Sequence, residues 1–167
     1  SYSPSMDIQV SSNFERLLFE LLGRDGNAVN AAMATFAKTG RFDVDASVLE
    51  KAHSMFAGYR LDDAATIAEI RQSATTDDMV LDPHSAVGVG AARMALADGT
   101  IPAGVPVISL ACAHPAKFQD AVASATGETP ALPAHLSDLM SRSEKQLFVT
   151  ATPDAVKALV LQEKRNI

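Results

Sequence analysis

Cys112 and His114 are the two side chains of this sequence best placed to do chemistry together, in the stretch Ser109-Leu-Ala-Cys112-Ala-His114-Pro115-Ala-Lys117-Phe118. A thiol and an imidazole two residues apart offer a nucleophile with its base, or two hydrogen-bonding groups for a ligand. They follow Val107, Ile108 and Leu110, an apolar run without alternation, as in a strand covered on both faces. Pro115 then opens a helix at the position where its missing N–H costs nothing. This pattern puts both side chains at the carboxyl end of a central strand, where α/β proteins hold cofactors. No acid completes a catalytic Cys–His arrangement nearby, and position alone favours Cys112 as a small buried hydrophobe.

The other reactive residue types form weaker patterns. His53, His84, His114 and His135 show no metal-ligand spacing, and neither HExxH nor CxxC occurs. His84 and His114 each stand beside a proline at a helix start, where a side chain often serves as a cap. Gly88-Val-Gly90-Ala-Ala-Arg93 lacks one glycine of a dinucleotide fingerprint and lies inside a helical stretch, so close packing explains it better. Asp43-x-Asp45, Asp62-Asp63 and Asp77-Asp78 read as caps and solvated turns rather than paired acid catalysts.

The elements that must position these residues are mostly helices. Ser12-x-x-Glu15 forms a capping box ahead of Phe14, Leu17, Leu18, Leu21 and Leu22. Further helices are predicted over 27–38, from Ser47 to His53, and from Asp62 or Asp63 through Ile70. Asp82-Pro83-His84-Ser85 starts another, with Val87, Ala91, Met94 and Ala95 facing inward. Pro115 to Ala125 and a last helix opened by Thr152-Pro153 complete the set. Short strands are predicted over 55–61, 105–112 and 146–151. So few strands cannot make a self-sufficient wound sheet, so the fold class is α/β, helix-rich, with a small partial sheet whose missing strands lie upstream.

Bulk composition narrows the class further. The sequence has 167 residues, 47% hydrophobic and 20% charged, enough for one ordinary core or part of a larger one. A net charge of −6 with scattered lysines and arginines argues against a nucleic-acid surface. Val105 to Ala113, the longest apolar run, is too short to span a bilayer. The single cysteine forbids an internal disulfide and suits a reducing compartment, so a cytoplasmic location is expected. The start shows no charged-then-apolar targeting pattern, and Ser1 in place of Met is expected of a cleavage product or a tag remnant.

Three blocks carry a resemblance. Ser3-Pro4-Ser5-Met6-Asp7-Ile8-Gln9-Val10-Ser11-Ser12-Asn13-Phe14-Glu15-Arg16, then Asp82-Pro83-His84-Ser85-Ala86-Val87-Gly88, then Ala113-His114-Pro115-Ala116-Lys117-Phe118 resemble the C-terminal part of threonine synthase, in the branch of many bacteria and fungi. The resemblance implies an enzyme that uses pyridoxal 5′-phosphate to convert O-phospho-L-homoserine and water into L-threonine and phosphate. It implies the fold of the tryptophan synthase β chain, with residues 1–167 as a single piece of the large cofactor-binding domain. The family's Schiff-base lysine, in a Phe-Lys-Asp context, and its Gly-Asn-Phe-Gly phosphate loop have no counterpart here; Lys38, Lys51, Lys117, Lys145, Lys157 and Lys164 all stand in other settings. These residues by themselves are therefore expected to be inactive, with the missing N-terminal portion as a partner.

The same resemblance implies site roles. Where the family usually has Thr-Ala-His-Pro, with the hydroxyl on the pyridine nitrogen of the cofactor, this sequence has Cys112-Ala113-His114-Pro115. A thiol is a weaker donor, so the contact is softened. His114 is a second candidate on the cofactor wall. Ser12, Asn13 and Arg16, at a helix start whose free N–H groups suit a phosphate, are candidates for substrate binding, and so is His84. A different reading of the apolar helix faces, such as Leu17–Leu22, is a non-enzymatic helical module that binds a partner protein.

Overall fold

A computed structural model describes residues 1–164, and Arg165 to Ile167 lie outside the described residues. The chain divides into two compact units, Ser1–Ala131 and Leu132–Ile167. The first holds α1 (Ser12–Leu21), α2 (Gly26–Thr39), α3 (Ala46–His53), α4 (Asp63–Thr76), α5 (Pro83–Ala97) and α6 (Gln119–Thr126). A single 3-10 turn at Pro115–Lys117 precedes α6. The second unit holds two 3-10 turns, at Ala134–Leu136 and Leu139–Ser141, and α7 (Pro153–Lys164).

The core of the first unit lies where α4 meets α5 and α6. Ile70 is fully buried there against Leu81, Ala86 and Ala125, with Ile67 and Val89 packed around them. Small residues let these helices approach closely. A methyl group on Gly90 would run into Leu61, whereas one on Gly88 would meet open space, so only the second glycine of the Gly-Val-Gly run has a packing reason. Two polar clips reinforce the helices. Arg93 donates to the buried Glu69 at 2.9 Å and to Asp77 at 2.7 Å, joining α5 to α4 and the residue after it. Arg71 of α4 donates to the carbonyls of Ala125 at 3.0 Å and Ser124 at 3.4 Å, satisfying the last turn of α6 with a cation where one is favoured.

Several expectations need correction. The small partial sheet is not found: 55–61, 105–112 and 146–151 are irregular, and every regular element among the described residues is helical. A strand exists only through the partner that takes up its N–H and C=O groups, and residues 1–164 supply no such partner. The unpaired segments leave Ile108 86%, Leu110 78% and Phe148 93% exposed. The cap of α1 is Ser11, whose extended backbone and Oγ receive the Phe14 N–H at 3.4 Å; the box expected from Ser12 is displaced by one residue. Asp45 rather than Ser47 precedes α3. The helix expected from Pro115 to Ala125 is interrupted at Phe118. Met94 lies outside the core, while Ala95 lies within it.

Candidate functional site

The start of α5 gathers the functional residue types. Asp82 is its N-cap and Pro83 its first residue, so the cap accepts the N–H of His84 at 2.9 Å and of Ser85 at 3.2 Å. That is ordinary capping chemistry, and it leaves the carboxylate with capacity to spare. Asp82 Oδ1 also accepts from Ser85 Oγ and, at 3.3 Å, from the N–H of Ala113, 31 positions along the chain. Ser85 Oγ in turn accepts the N–H of Cys112 at 2.9 Å. Two successive N–H groups of the Cys112–Ala113 segment are therefore held by one helix start.

His84 joins a third part of the chain to the same point. Its Nδ1 lies 3.0 Å from Asp82 Oδ2, and its Nε2 accepts the N–H of Ser5 at 3.1 Å. An acceptor role for Nε2 fits the tautomer with the proton on Nδ1, donated to Asp82. The ring packs against Phe118, with centroids 4.5 Å apart. Ser5 belongs to a turn in which Ser3 O accepts the N–H groups of Met6 and Asp7.

Burial sets the electrostatics. Asp82, His84 and Ser85 are all buried, and no buried side-chain polar atom among the described residues lacks a hydrogen-bond partner. Burial pushes the Asp82 carboxyl up, but the Ser85 hydroxyl, the His84 N–H and ring, and the Ser85 N–H together outweigh it. Asp82 is left below the ordinary carboxylate value and ionised at neutral pH.

The other candidates are placed differently. Cys112 is exposed, not a buried hydrophobe, and its Sγ makes only a long 3.6 Å contact to the Leu110 carbonyl. His114 caps the 3-10 turn, its Nδ1 accepting the Ala116 N–H at 3.2 Å, and it lines an open groove with Val80, Pro115, Val122 and Thr126. Ser12 and Arg16 share a separate groove with Glu15, Phe19 and Glu20, and Arg16 donates to Asn13 Oδ1 at 3.4 Å. No hydrogen bond among the described residues joins this cluster to the α5 start. No three His, Cys, Asp or Glu side chains among the described residues converge as a metal site.

Sequence reasoning missed Asp82 and Ser85 as site residues. Asp-Pro-His-Ser was legible as a cap, but nothing local announces that the cap also reaches Cys112 and Ala113.

Comparison with known proteins shows what this chain is similar to. Residues 85–160 match the family described as threonine synthase, C-terminal. The chain is 42% identical to the threonine synthase of Pseudomonas aeruginosa over 97% of its own length and 34% of that protein. It is 36% identical to the Saccharomyces cerevisiae threonine synthase over 96% of its length and 35% of that protein. Its structure aligns with the crystal structure of PLP-bound threonine synthase from Brucella melitensis at a TM-score of 0.79 and 42% identity, covering 99% of this chain and 34% of that one. The yeast threonine synthase structure aligns at a TM-score of 0.76 and 33% identity, with 100% and 37% covered. The chain thus spans about a third of the length of the relatives it matches. Over nearly its whole length, then, this chain is similar in sequence and in structure to about a third of known threonine synthases, and residues 85–160 match the C-terminal model of that family.

Proposed function

We propose that this chain forms a C-terminal wall of the cofactor site in an enzyme that converts O-phospho-L-homoserine and water into L-threonine and phosphate. The observation that carries this reading is the joining of three separated blocks through Asp82, His84 and Ser85. A network linking residues 5, 84 and 112 serves to fix one place in the fold, and that place presents an exposed thiol. The donor set fits pyridoxal phosphate: Cys112 offers one S–H, engaged only by a long contact and free to turn to a ring nitrogen. When bound, the cofactor supplies an electron sink for the chemistry at the substrate carbons. Cys112 would hold the ring nitrogen, and His114, two residues on, lines a groove with Val80 and Pro115.

Ser12, Asn13 and Arg16 are proposed for the substrate's phosphate, with the start of α1 adding its free N–H groups. Glu15 and Glu20 in the same groove oppose an anion, so Arg16 must turn from Asn13 to serve it. His84 takes part from behind the site, since both its ring nitrogens are already engaged.

Residues 1–167 are proposed to belong as a single piece to the large cofactor-binding domain, where 105–112, and separately 146–151, pair with strands from outside these residues. The exposed Ile108, Leu110 and Phe148 suit such a covering. No helix among the described residues is long and apolar enough to cross a membrane, and with a single cysteine we place the enzyme in the cytoplasm.

The test is phosphate and threonine release from O-phospho-L-homoserine by a full-length threonine synthase carrying residues 1–167, with pyridoxal phosphate added. Turnover supports the reading; a well-folded, cofactor-loaded protein that releases neither product overturns it. A polypeptide of residues 1–167 alone should release none, because its lysines all stand outside the Schiff-base setting.

A further inference from the structure

We infer that Ser85 is a positioning residue for Cys112: its buried hydroxyl fixes the Cys112 N–H and so sets the direction in which the thiol meets the cofactor ring. This rests on the reading that Cys112 faces that ring. Ser85 is buried and its Oγ is engaged both as donor and as acceptor, donating to Asp82 Oδ1 and accepting from Cys112 N–H at 2.9 Å. Asp82 Oδ1 accepts the next N–H, that of Ala113, at 3.3 Å. Two adjacent peptide N–H groups held by a buried pair fix the backbone of Cys112 and with it the direction of its Cα–Cβ bond, leaving rotation about that bond as the one way the thiol re-aims. The thiol itself has no comparable anchor, since its own contact is 3.6 Å long. A weak donor loses most when its direction drifts, because hydrogen bonds fail steeply with angle. The backbone behind Cys112 therefore has to supply the precision that the side chain lacks.

Helix capping alone does not require this arrangement. Asp82 already caps α5 through the N–H groups of His84 and Ser85, so the Ser85 hydroxyl and the two contacts to 112–113 are additional. Ser85→Ala removes the hydroxyl and leaves both capping bonds intact.

The experiment is a double-mutant cycle between Ser85→Ala and Cys112→Ala in the full-length enzyme. It is read by the dissociation constant of pyridoxal phosphate and the visible absorption maximum of the bound cofactor. The melting temperature of the cofactor-free protein monitors folding. Positioning through Cys112 predicts that Ser85→Ala weakens the cofactor about 3- to 10-fold and shifts its absorption as Cys112→Ala does. It further predicts that adding Ser85→Ala to Cys112→Ala costs little more. Equal losses from Ser85→Ala in both backgrounds would mean a general structural role and overturn the proposal. Cys112→Ala with unchanged affinity and absorption would overturn the reading of Cys112 itself, a distinct failure. If Ser85→Ala does not fold, Ser85→Thr, which restores the hydroxyl, supplies the comparison: wild-type affinity and absorption support the proposal, and losses matching Cys112→Ala on an unchanged melting temperature overturn it.

Discussion

Asp82 illustrates how one side chain can serve an element and a site together. Its carboxylate is buried, ionised and surrounded by five hydrogen-bond donors from His84, Ser85 and Ala113. Its value in the folded protein lies below that of the unfolded chain, so the stabilisation is complete above the unfolded value and disappears as pH falls through the folded one. Melting temperature followed on acidification should therefore drop more steeply in the wild type than in Asp82→Asn. At neutral pH, Asp82→Asn should cost about 2 kcal/mol, from the weakening of charged hydrogen bonds at a buried position. The thiol offers a second prediction at this scale. Cys112→Thr should bind pyridoxal phosphate at least as tightly as the wild type in the full-length enzyme, because a hydroxyl is the stronger donor. Unchanged turnover in Cys112→Ala would remove Cys112 from the site.

Helices α4, α5 and α6 determine where that site stands. Their shared core is small and rich in alanine, so a single large residue carries much of it. Ile70→Ala should cost about 2–5 kcal/mol, read by denaturant unfolding, because the fully buried side chain leaves a cavity between three helices. Gly90→Ala should cost about 1–3 kcal/mol by forcing Leu61 aside, while Gly88→Ala, open on every side, should be neutral or slightly stabilising. Arg71→Ala should cost about 1 kcal/mol, removing a cation from the last carbonyls of α6.

Across the whole molecule, apolar surface is left in view. Ile108, Leu110 and Phe148 are each more than three-quarters exposed, although their segments read as strands. In a full-length enzyme a completed sheet should protect the amides of 105–111, whereas in residues 1–167 alone they should exchange rapidly. Hydrogen exchange on both proteins distinguishes these states. Equal, slow exchange in the short polypeptide would show that it finds a partner for this segment without the rest of the enzyme.

Helix positions were largely legible, since caps and stops are local. Asp62 and Asp82 start α4 and α5, Gly40 and Gly127 end α2 and α6 in left-handed conformation, and Thr152 opens α7, all as residue types predict. His84, Cys112 and His114 were legible as candidate site residues, the role of His84 only through the resemblance of its block to a known family, whereas Asp82 was legible only as a helix start. The sequence by itself determined most of the helices and the likeness to threonine synthases, because periodicity, capping and short motifs act within a few residues. Only the tertiary structure decided that Cys112 is exposed, that both nitrogens of His84 are engaged, and that Asp82 and Ser85 hold the Cys112 backbone. The contacts of Ser5 with His84, Cys112 with Ser85 and Ala113 with Asp82 join groups 27 to 79 positions apart, and no local preference can specify a partner at that distance.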